Sequence, residues 1–423
     1  MPSETVDVAI VGCGVSGATA ALAAAQNGVR VSIFEEHPRV GEPSHCSGHV
    51  GIMSIKRFSP HIPERIIENR IKGAVLHSPS GGQLVLYRPE PVTWVLNRAE
   101  LDRHLSSLAT DNGVELNLNS RVESFRRSPD GGIEAKIGGR AQVDVSCKML
   151  IDAAGCSAPI SKYDSLLFPS RRMFVNSAQV DAEALSDVDE DLVEVYFGQR
   201  YAPGFFGWII PRRDGSAKVG IAAGARANVR ECFERFVKRH PVVSSKLRRA
   251  KFLTRAVYHP IPVDGARQRT YADGILTVGD AASQVKPTTG GGIVFSLICG
   301  KIAGKTAAKA VQLRDTSAEC LSDYERSWRK LLGFDLMVMT WLRKLLYRLP
   351  DRRLDKIFGA LSELKVDSVL NRAADIDFQG RTLLSLGRDP RLIAALLSTS
   401  ILSVPSLLYD DPRSEAAHER TVA

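Results

Sequence analysis

The sequence predicts a mixed α/β protein (α+β mixed): a Rossmann-like domain opening on a βαβ-type unit, then an antiparallel sheet, then a helical C-terminal part. Three observations carry that reading. A strand–helix–strand unit with a glycine-rich turn fills the first 35 residues, strand-like runs dominate 161–262, and the apolar spacing turns helical beyond 321. The 423 residues are 44% hydrophobic and 24% charged, a globular composition sized for two or three domains, which excludes disordered and collagenous classes. Seven cysteines with no Cys-x-x-Cys pair make no disulfide framework and point to a reducing compartment. The N-terminus has no basic run before its first strand, so no signal peptide is read. The longest apolar stretch, 392–408, is interrupted by Ser398, Thr399, Ser400, Ser403 and Pro405, too broken for a spanning helix of ~20 residues.

Residues 6–11 read as a buried strand, 16–27 as an Ala-rich helix stopped at Gly28, and 29–34 as a second strand ending at Glu35. Residues 36–60, rich in His, Pro and Gly, read as a loop with functional potential. Asn97 opens a helix, with Glu100 three positions on as in a capping box, and Asn112-Gly113 closes it. Strands follow at 114–118, 121–125 and 149–153, with a hairpin turn at 129–132. Runs at 173–180, 192–197, 206–211 and 218–222 form the antiparallel sheet, with a helix at 229–239. A buried strand at 274–278 and a long helix at 292–313 precede helices to 408 and a charged tail. The domains expected are 1–160 with 263–320, 161–262, and 321–410, with a tail at 411–423.

Gly12-Cys13-Gly14-Val15-Ser16-Gly17 is a Gly-x-Gly-x-x-Gly between strand and helix. The first glycine permits the tight turn, the second lets backbone approach a pyrophosphate, and the third packs helix on strand. The helix N-terminus supplies N–H donors, Ser16 among them. Glu35, 18 residues beyond Gly17, ends the second strand where a ribose hydroxyl would be bound. Far away, Gly279-Asp280-Ala281-Ala282 follows a strand, and Gly290-Gly291-Gly292-Ile293 opens the long helix. A carboxylate there can bind polyol hydroxyls, and the positive helix end would stabilise a reduced, anionic flavin. This points to FAD held by a Rossmann-like FAD-binding domain. Asp152-Ala153-Ala154-Gly155-Cys156-Ser157 is a small-residue turn that lets backbone pass close to the cofactor, and Arg98 is positioned to reach its phosphates or ribityl chain.

Together, Gly12–Gly17, Glu35, Arg98 with Asp102 and Leu105, the 152–157 turn and the 279–293 segment resemble the p-hydroxybenzoate hydroxylase class of FAD proteins. Two more stretches narrow this. Gly41-Glu42-Pro43-Ser44-His45-Cys46-Ser47-Gly48 resembles the G-x-P-x-x-C segment of geranylgeranyl reductases, the digeranylgeranylglycerophospholipid reductase-like group. Ala202-Pro203-Gly204-Phe205-Phe206-Gly207-Trp208-Ile209-Ile210-Pro211 resembles their substrate-side Y-x-W-x-F-P motif, with Phe206 in place of tyrosine and Ile210 in place of phenylalanine. Archaeal members often carry a glutamate shortly after the cysteine, where this chain reads Ser47-Gly48-His49. The likeness spans about residues 5–335.

The resemblance implies an FAD-dependent reductase that hydrogenates C=C bonds of geranylgeranyl chains on archaeal-type membrane lipids. Hydride from reduced flavin and a proton from an acid would complete the addition. Glu36, His45, Cys46, Ser47, Gly48 and Val122 complete the expected cofactor contacts, and Cys46 is the catalytic candidate. Phe206, Trp208 and Ile210 share one strand face, opposite Phe205, Gly207 and Ile209; with Pro211 they are the expected substrate contacts. His45 and His49 form too sparse a pair for a metal, and none is assigned. With no second Gly-x-Gly-x-x-Gly, the electron donor (ferredoxin, NAD(P)H or another reduced carrier) docks transiently. A flavin-dependent monooxygenase or halogenase, and a non-catalytic electron carrier, are the alternatives; the halogenase Trp-x-Trp-x-Ile-Pro pattern is matched only in part.

Residues 326–372 hold 11 Lys/Arg against 5 Asp/Glu, much of the chain's net +9. There Leu336, Val338, Met339, Leu342, Leu345 and Leu346 recur at helical spacing beside Trp341, Arg343, Lys344 and Tyr347. This reads as an amphipathic helix on the cytoplasmic face of a membrane. Basic residues alternating with leucines argue against a nucleic-acid partner.

Overall fold

The computed structural model describes residues 4–128, 131–139, 143–157, 173–364 and 377–386. The sequence readings at 129–130, up to 172 in the middle sheet, at 365–376, and for the helix to 408 and the tail lie outside the described residues. The chain opens with β1 (Glu4–Val11), α1 (Val15–Ala25) and β2 (Val31–Glu35). Then come β3 (His49–Gly51), α2 (Ile52–Phe58), β4 (Ile67–Ile71), β5 (Gly73–His77), β6 (Gln83–Tyr87), β7 (Thr93–Leu96) and α3 (Arg98–Asp111). Next are β8 (Glu115–Leu118), β9 (Ser120–Arg127), β10 (Ile133–Gly139), β11 (Val143–Asp152), β12 (Phe174–Glu183), β13 (Leu192–Phe197), β14 (Phe206–Pro211) and β15 (Ser216–Gly224). Helices α4 (Val229–Arg239) and α5 (Pro241–Lys246) precede β16 (Lys251–Phe252), β17 (Val257–Pro262), β18 (Tyr271–Ala272) and β19 (Ile275–Thr277). The remainder is helical: α6 (Ile293–Leu313), α7 (Ala318–Leu346), α8 (Asp351–Glu363) and α9 (Gln379–Leu386).

The first sheet has the order β18-β19-β11-β1-β2-β8, parallel from β19 to β8, with β10 and β9 added antiparallel beside β11. Helix α1 is buried along nearly its whole length, which its alanines make possible: small side chains let it lie against both sheet and α6. The carboxyl ends of β1, β11 and β19 come together, so the turns at Gly12, Ala153 and Gly279 meet at one crevice, the usual binding edge of such sheets.

The second sheet runs β16-β12-β15-β14-β13-β5-β6, with β17 beside β12. One face packs on α4 and α5 through Ile209, Val219 and Phe236; the other carries Val193, Trp208 and Ile210. Two sequence expectations change here. Residues 73–87 form a hairpin whose first strand pairs parallel with β13, so 1–160 is not confined to the first sheet and the second is not purely antiparallel. Nothing local marks this, because the pairing joins segments more than a hundred residues apart. The 36–60 stretch also contains β3 and α2, with β3 pairing to β7 in a three-stranded sheet with β4.

Candidate active site

A cavity of about 980 Å³ lies between the two sheets. Its polar side is built from backbone. Gly12 takes φ 92°, and a Cβ there would fall 2.7 Å from the Ala153 carbonyl oxygen, so only glycine lets β1 and β11 end so close. Gly14 caps α1 with no side-chain partner, leaving the first N–H groups of the helix directed at the cavity beside Gly14 and Ser16. Gly17 is not in the wall; a Cβ there would sit 2.0 Å from the Gly12 oxygen, so it holds the turn against the helix. Gly292 caps α6 in the same way, without a side-chain partner, and Gly291, Gly292 and Ile293 line the cavity. Two helix N-termini thus face one space, each favouring negative charge.

Glu35 is buried at the end of β2; its Oε2 accepts from the Cys13 N–H at 2.8 Å and its Oε1 from the His37 N–H at 3.0 Å. Glu36, Val122 and Asp280 also line the cavity, and Glu36 pairs with Arg121 at 3.5 Å. The Asn97 side chain accepts from the Glu100 N–H, as the capping pattern predicts, and so sets Arg98 at the start of α3. Arg98 grips Asp102 through Nε at 2.8 Å and Nη2 at 3.2 Å. Burial opposes its charge, but Asp102 and the Cys46 sulfur keep its pKa above the ordinary arginine value. Its Nη2 lies 3.8 Å from where a Cβ on Gly14 would sit, so it bridges the glycine turn and the cysteine loop.

His45, Cys46 and Ser47 line the cavity; Gly48 does not, and its N–H donates to Cys46 Sγ at 3.4 Å. The His45 ring stacks on His259 at 3.6 Å, while His49 Nε2 meets Thr93 Oγ1 at 2.7 Å, so the two histidines do not converge. Burial, then His259 and Arg98, pushes His45 down to about 3; burial and Arg98 push His259 to about 4. Cys156, His259 and Asp280 bring donor atoms within 4.8 Å of one another, in the recess that also holds the expected cofactor residues.

The apolar side comes from the second sheet. Phe206, Trp208 and Ile210 line the cavity as their alternation predicts, and Gly207 faces α4, where a Cβ would lie 2.5 Å from the Phe236 ring. Phe205 departs from the expected face. It precedes β14, stacks on Phe206 at 4.3 Å and on Tyr347 at 5.5 Å, and joins the wall. Pro211 is not in the wall; β14 has left the cavity there, and the Pro211 carbonyl accepts from Asn69 Nδ2 at 3.0 Å.

Helix α7 also corrects its reading. Leu336, Met339, Arg343 and Leu345 are buried, and Leu342 and Leu346 line the cavity, so the expected lipid-facing set points inward. Sequence reasoning missed Asp377, whose Oδ1 meets Lys286 Nζ at 2.7 Å and whose Oδ2 accepts from the Gly51 N–H at 3.0 Å. It missed Gln179 and Lys218 as well, which reach the cysteine loop from β12 and β15. Lys286 alone had a local signal, standing just before the Pro-Thr-Thr-Gly-Gly-Gly run.

The two uncapped helix ends, the glycine turn and Glu35 fit an extended dinucleotide. The FAD binding domain family matches residues 5–297. A digeranylgeranylglycerophospholipid reductase of Methanocaldococcus jannaschii is 32% identical over 364 residues, 85% of this chain and 92% of that protein. The crystal structure of a geranylgeranyl bacteriochlorophyll reductase-like protein from Thermoplasma acidophilum is 26% identical, with TM-score 0.82 over 94% of this chain and 100% of that one. A flavin-dependent brominase, 15% identical with TM-score 0.63 over 87% of this chain and 93% of that one, shares the fold alone. Fold and site define an FAD-dependent oxidoreductase. Within that class, the chain belongs to the digeranylgeranylglycerophospholipid reductase family.

Proposed function

We propose that this protein adds hydrogen across C=C bonds of geranylgeranyl chains on a glycerophospholipid, with Cys46 moving the proton. The observation that carries this is one cavity with the glycine turn on one side, Phe206, Trp208 and Ile210 on the other, and Cys46 in its wall. Bound and reduced, FAD supplies hydride. The chain's own residues do the rest. A trisubstituted alkene has no carbonyl to polarise it, so protonation puts positive charge on the more substituted carbon, which hydride then fills. The aromatic and aliphatic wall excludes water that would capture that charge. The imidazoles of His45 and His259 are held neutral, so neither offers an imidazolium acid at neutral pH. Cys46, which lines the cavity, is the candidate we assign in that loop, relaying its proton from water.

Gly12, Gly14, Ser16 and Arg98 are suited to the pyrophosphate, Glu35 to a ribose, Asp280 to the ribityl chain, and the α6 N-terminus to the reduced ring. Such a reductase takes a lipid and draws on a reduced donor; we propose that the carrier, ferredoxin, NAD(P)H or another reduced carrier, docks transiently. We place the protein at the membrane surface, and among the described residues no helix is long and apolar enough to cross a bilayer.

The test is anaerobic incubation of dithionite-reduced holoprotein with a digeranylgeranylglycerophospholipid, followed by mass spectrometry. The lipid mass should rise in steps of two hydrogens; a lipid that never gains mass defeats the assignment. Cys46→Ala should retain FAD and lose about 10²–10⁴-fold in turnover, the usual contribution of a positioned acid. Full turnover would reduce Cys46 to a contact.

A further inference from the structure

The segment Cys46-Ser47-Gly48 lies outside helix and strand, so no ladder fixes the carbonyl groups of Cys46 and Ser47. The Gly48 oxygen is taken by the Leu96 N–H at 2.9 Å. The other two are taken by buried side chains of the second sheet. Gln179 Nε2 donates to the Cys46 oxygen at 3.4 Å, and Lys218 Nζ donates to the Ser47 oxygen at 3.1 Å. We infer that Gln179 and Lys218 are positioning residues, which with Trp208 hold the Cys46 loop so that Sγ faces the cavity. This rests on the catalytic reading of Cys46 and adds the residues through which the apolar wall acts on it.

The geometry comes from strand register. Gln179 on β12 and Trp208 on β14 both stand opposite Gly220 on the intervening β15. A Cβ at Gly220 would lie 2.5 Å from the indole, so the missing side chain is what allows the ring to cross β15. The ring reaches Gln179, and Trp208 Nε1 donates to Gln179 Oε1 at 3.1 Å. That bond fixes the amide orientation: with Oε1 occupied by the indole N–H, Nε2 is turned toward Cys46.

Two residues before Gly220, and so on the same face, Lys218 is 5% exposed. Its three N–H groups have three acceptors: the Ser47 oxygen, Glu68 Oε2 at 2.6 Å, and the Leu96 oxygen at 3.3 Å. A lysine at this depth is tolerated because Glu68 balances its charge and every donor is used. One of those donors is spent on the residue after the cysteine. Trp208 therefore has two roles, a face in the apolar wall and a ring nitrogen that sets Gln179 against the Cys46 carbonyl.

The experiment uses FAD-loaded full-length protein. Gln179→Leu keeps the volume and removes both hydrogen bonds; Trp208→Phe keeps a ring and removes the N–H. Lys218→Met is made with Glu68→Gln so that no buried charge is stranded, and Lys218→Arg is the conservative rescue. Each is assayed for kcat and KM, and for the pH profile of Cys46 alkylation by iodoacetamide, read residue by residue by mass spectrometry. Gln179→Leu should lower kcat about 10–100-fold with KM within threefold, as a displacement near 1 Å would. It should also change the Cys46 alkylation rate at least fivefold, leaving Cys156 and Cys320 unchanged. Trp208→Phe added to Gln179→Leu should cost less than twofold more in alkylation, because both act through one bond. Lys218→Arg should recover at least part of what the paired variant loses. If Tm falls while Cys46 alkylation keeps its wild-type rate and profile, the residues are merely structural and the inference is overturned. If Gln179→Leu does not fold, Trp208→Phe alone decides it by the same readout. Alkylation does not require Cys46 to be catalytic, so full turnover in Cys46→Ala would end that assignment while this test still stands.

Discussion

Burial, reinforced by neighbouring cations, pushes His45 down to about 3 and both His49 and His259 to about 4. Lys286 adds to the effect at His49, and Arg98 at the other two. An unfolded histidine titrates near 6.5. Between pH ~6.5 and the folded values, about 4 for His49 and His259 and about 3 for His45, the unfolded chain therefore binds protons that the folded chain refuses. The stability these groups give is complete above the upper limit and is lost as pH falls through the window. Tm is expected to drop on going from pH 7 to pH 5, and His49→Gln should make that slope shallower. A Tm slope unchanged in His49→Gln would mean that His49 takes no part. At this scale the sequence was legible where a residue's position is set locally. The 12–17 turn, Arg98 behind its Asn97 cap and Asp280 at a strand end all lie on the cavity wall or beside it. It was silent on Gln179, Lys218 and Asp377, whose partners lie 133, 171 and 91 residues away.

Helices α1 and α6 show how an element carries chemistry it does not contain. Both aim an N-terminus at the cavity, and glycines fix their mutual distance: a Cβ at Gly300 would lie 2.6 Å from the Ser16 oxygen, and one at Gly304 would lie 2.1 Å from the Ala20 oxygen. The obstacle in each case is backbone, which cannot rotate away. Gly304→Ala should separate the helices, cost about 1–3 kcal/mol as overpacking does, and lower retention of FAD by moving one helix end relative to the other. Gly359, inside α8, has nothing within 4 Å of a Cβ. There the same substitution should stabilise by about 0.5–1 kcal/mol, because alanine loses less chain freedom than glycine in a helix. Tm and FAD content after gel filtration check both, and equal effects of the two would defeat the argument. The spans of α1, α4 and α6 could be read from periodicity and caps. The place of β5 and β6 could not, because a hairpin's own residues say nothing of which distant strand its edge will meet.

For the whole molecule, the proposed function raises the question of how an insoluble chain would enter the cavity. Helix α7 presents one face to the cavity and another to the outside. Its inner face supplies Leu342 and Leu346 to the cavity wall. Its outer face exposes Leu331 (40%), Phe334 (38%), Met337 (62%) and Trp341 (46%), spaced three or four residues apart and so aligned in one stripe. Exposed Lys330 and Lys344 flank it. This stripe replaces the inward-facing leucines as the surface proposed for the membrane. A stripe of large apolar side chains on a surface helix, one of them Trp, with basic neighbours suits the interface of an anionic bilayer. Each basic residue there adds about 1 kcal/mol, which salt removes. Binding should therefore be stronger to anionic than to neutral vesicles and weaken at high salt. Met337→Asp with Trp341→Asp, both on exposed positions away from the cavity, should leave Tm and FAD content unchanged and weaken vesicle sedimentation about tenfold or more. Turnover of lipid presented in vesicles should fall with it, while turnover of the same lipid dispersed in detergent, which needs no docking, should stay near wild type. Equal loss in both presentations would place those side chains in the catalytic step rather than in docking. Sedimentation that is negligible with either vesicle would return α7 to an ordinary packed helix whose outer apolar residues have no lipid to meet.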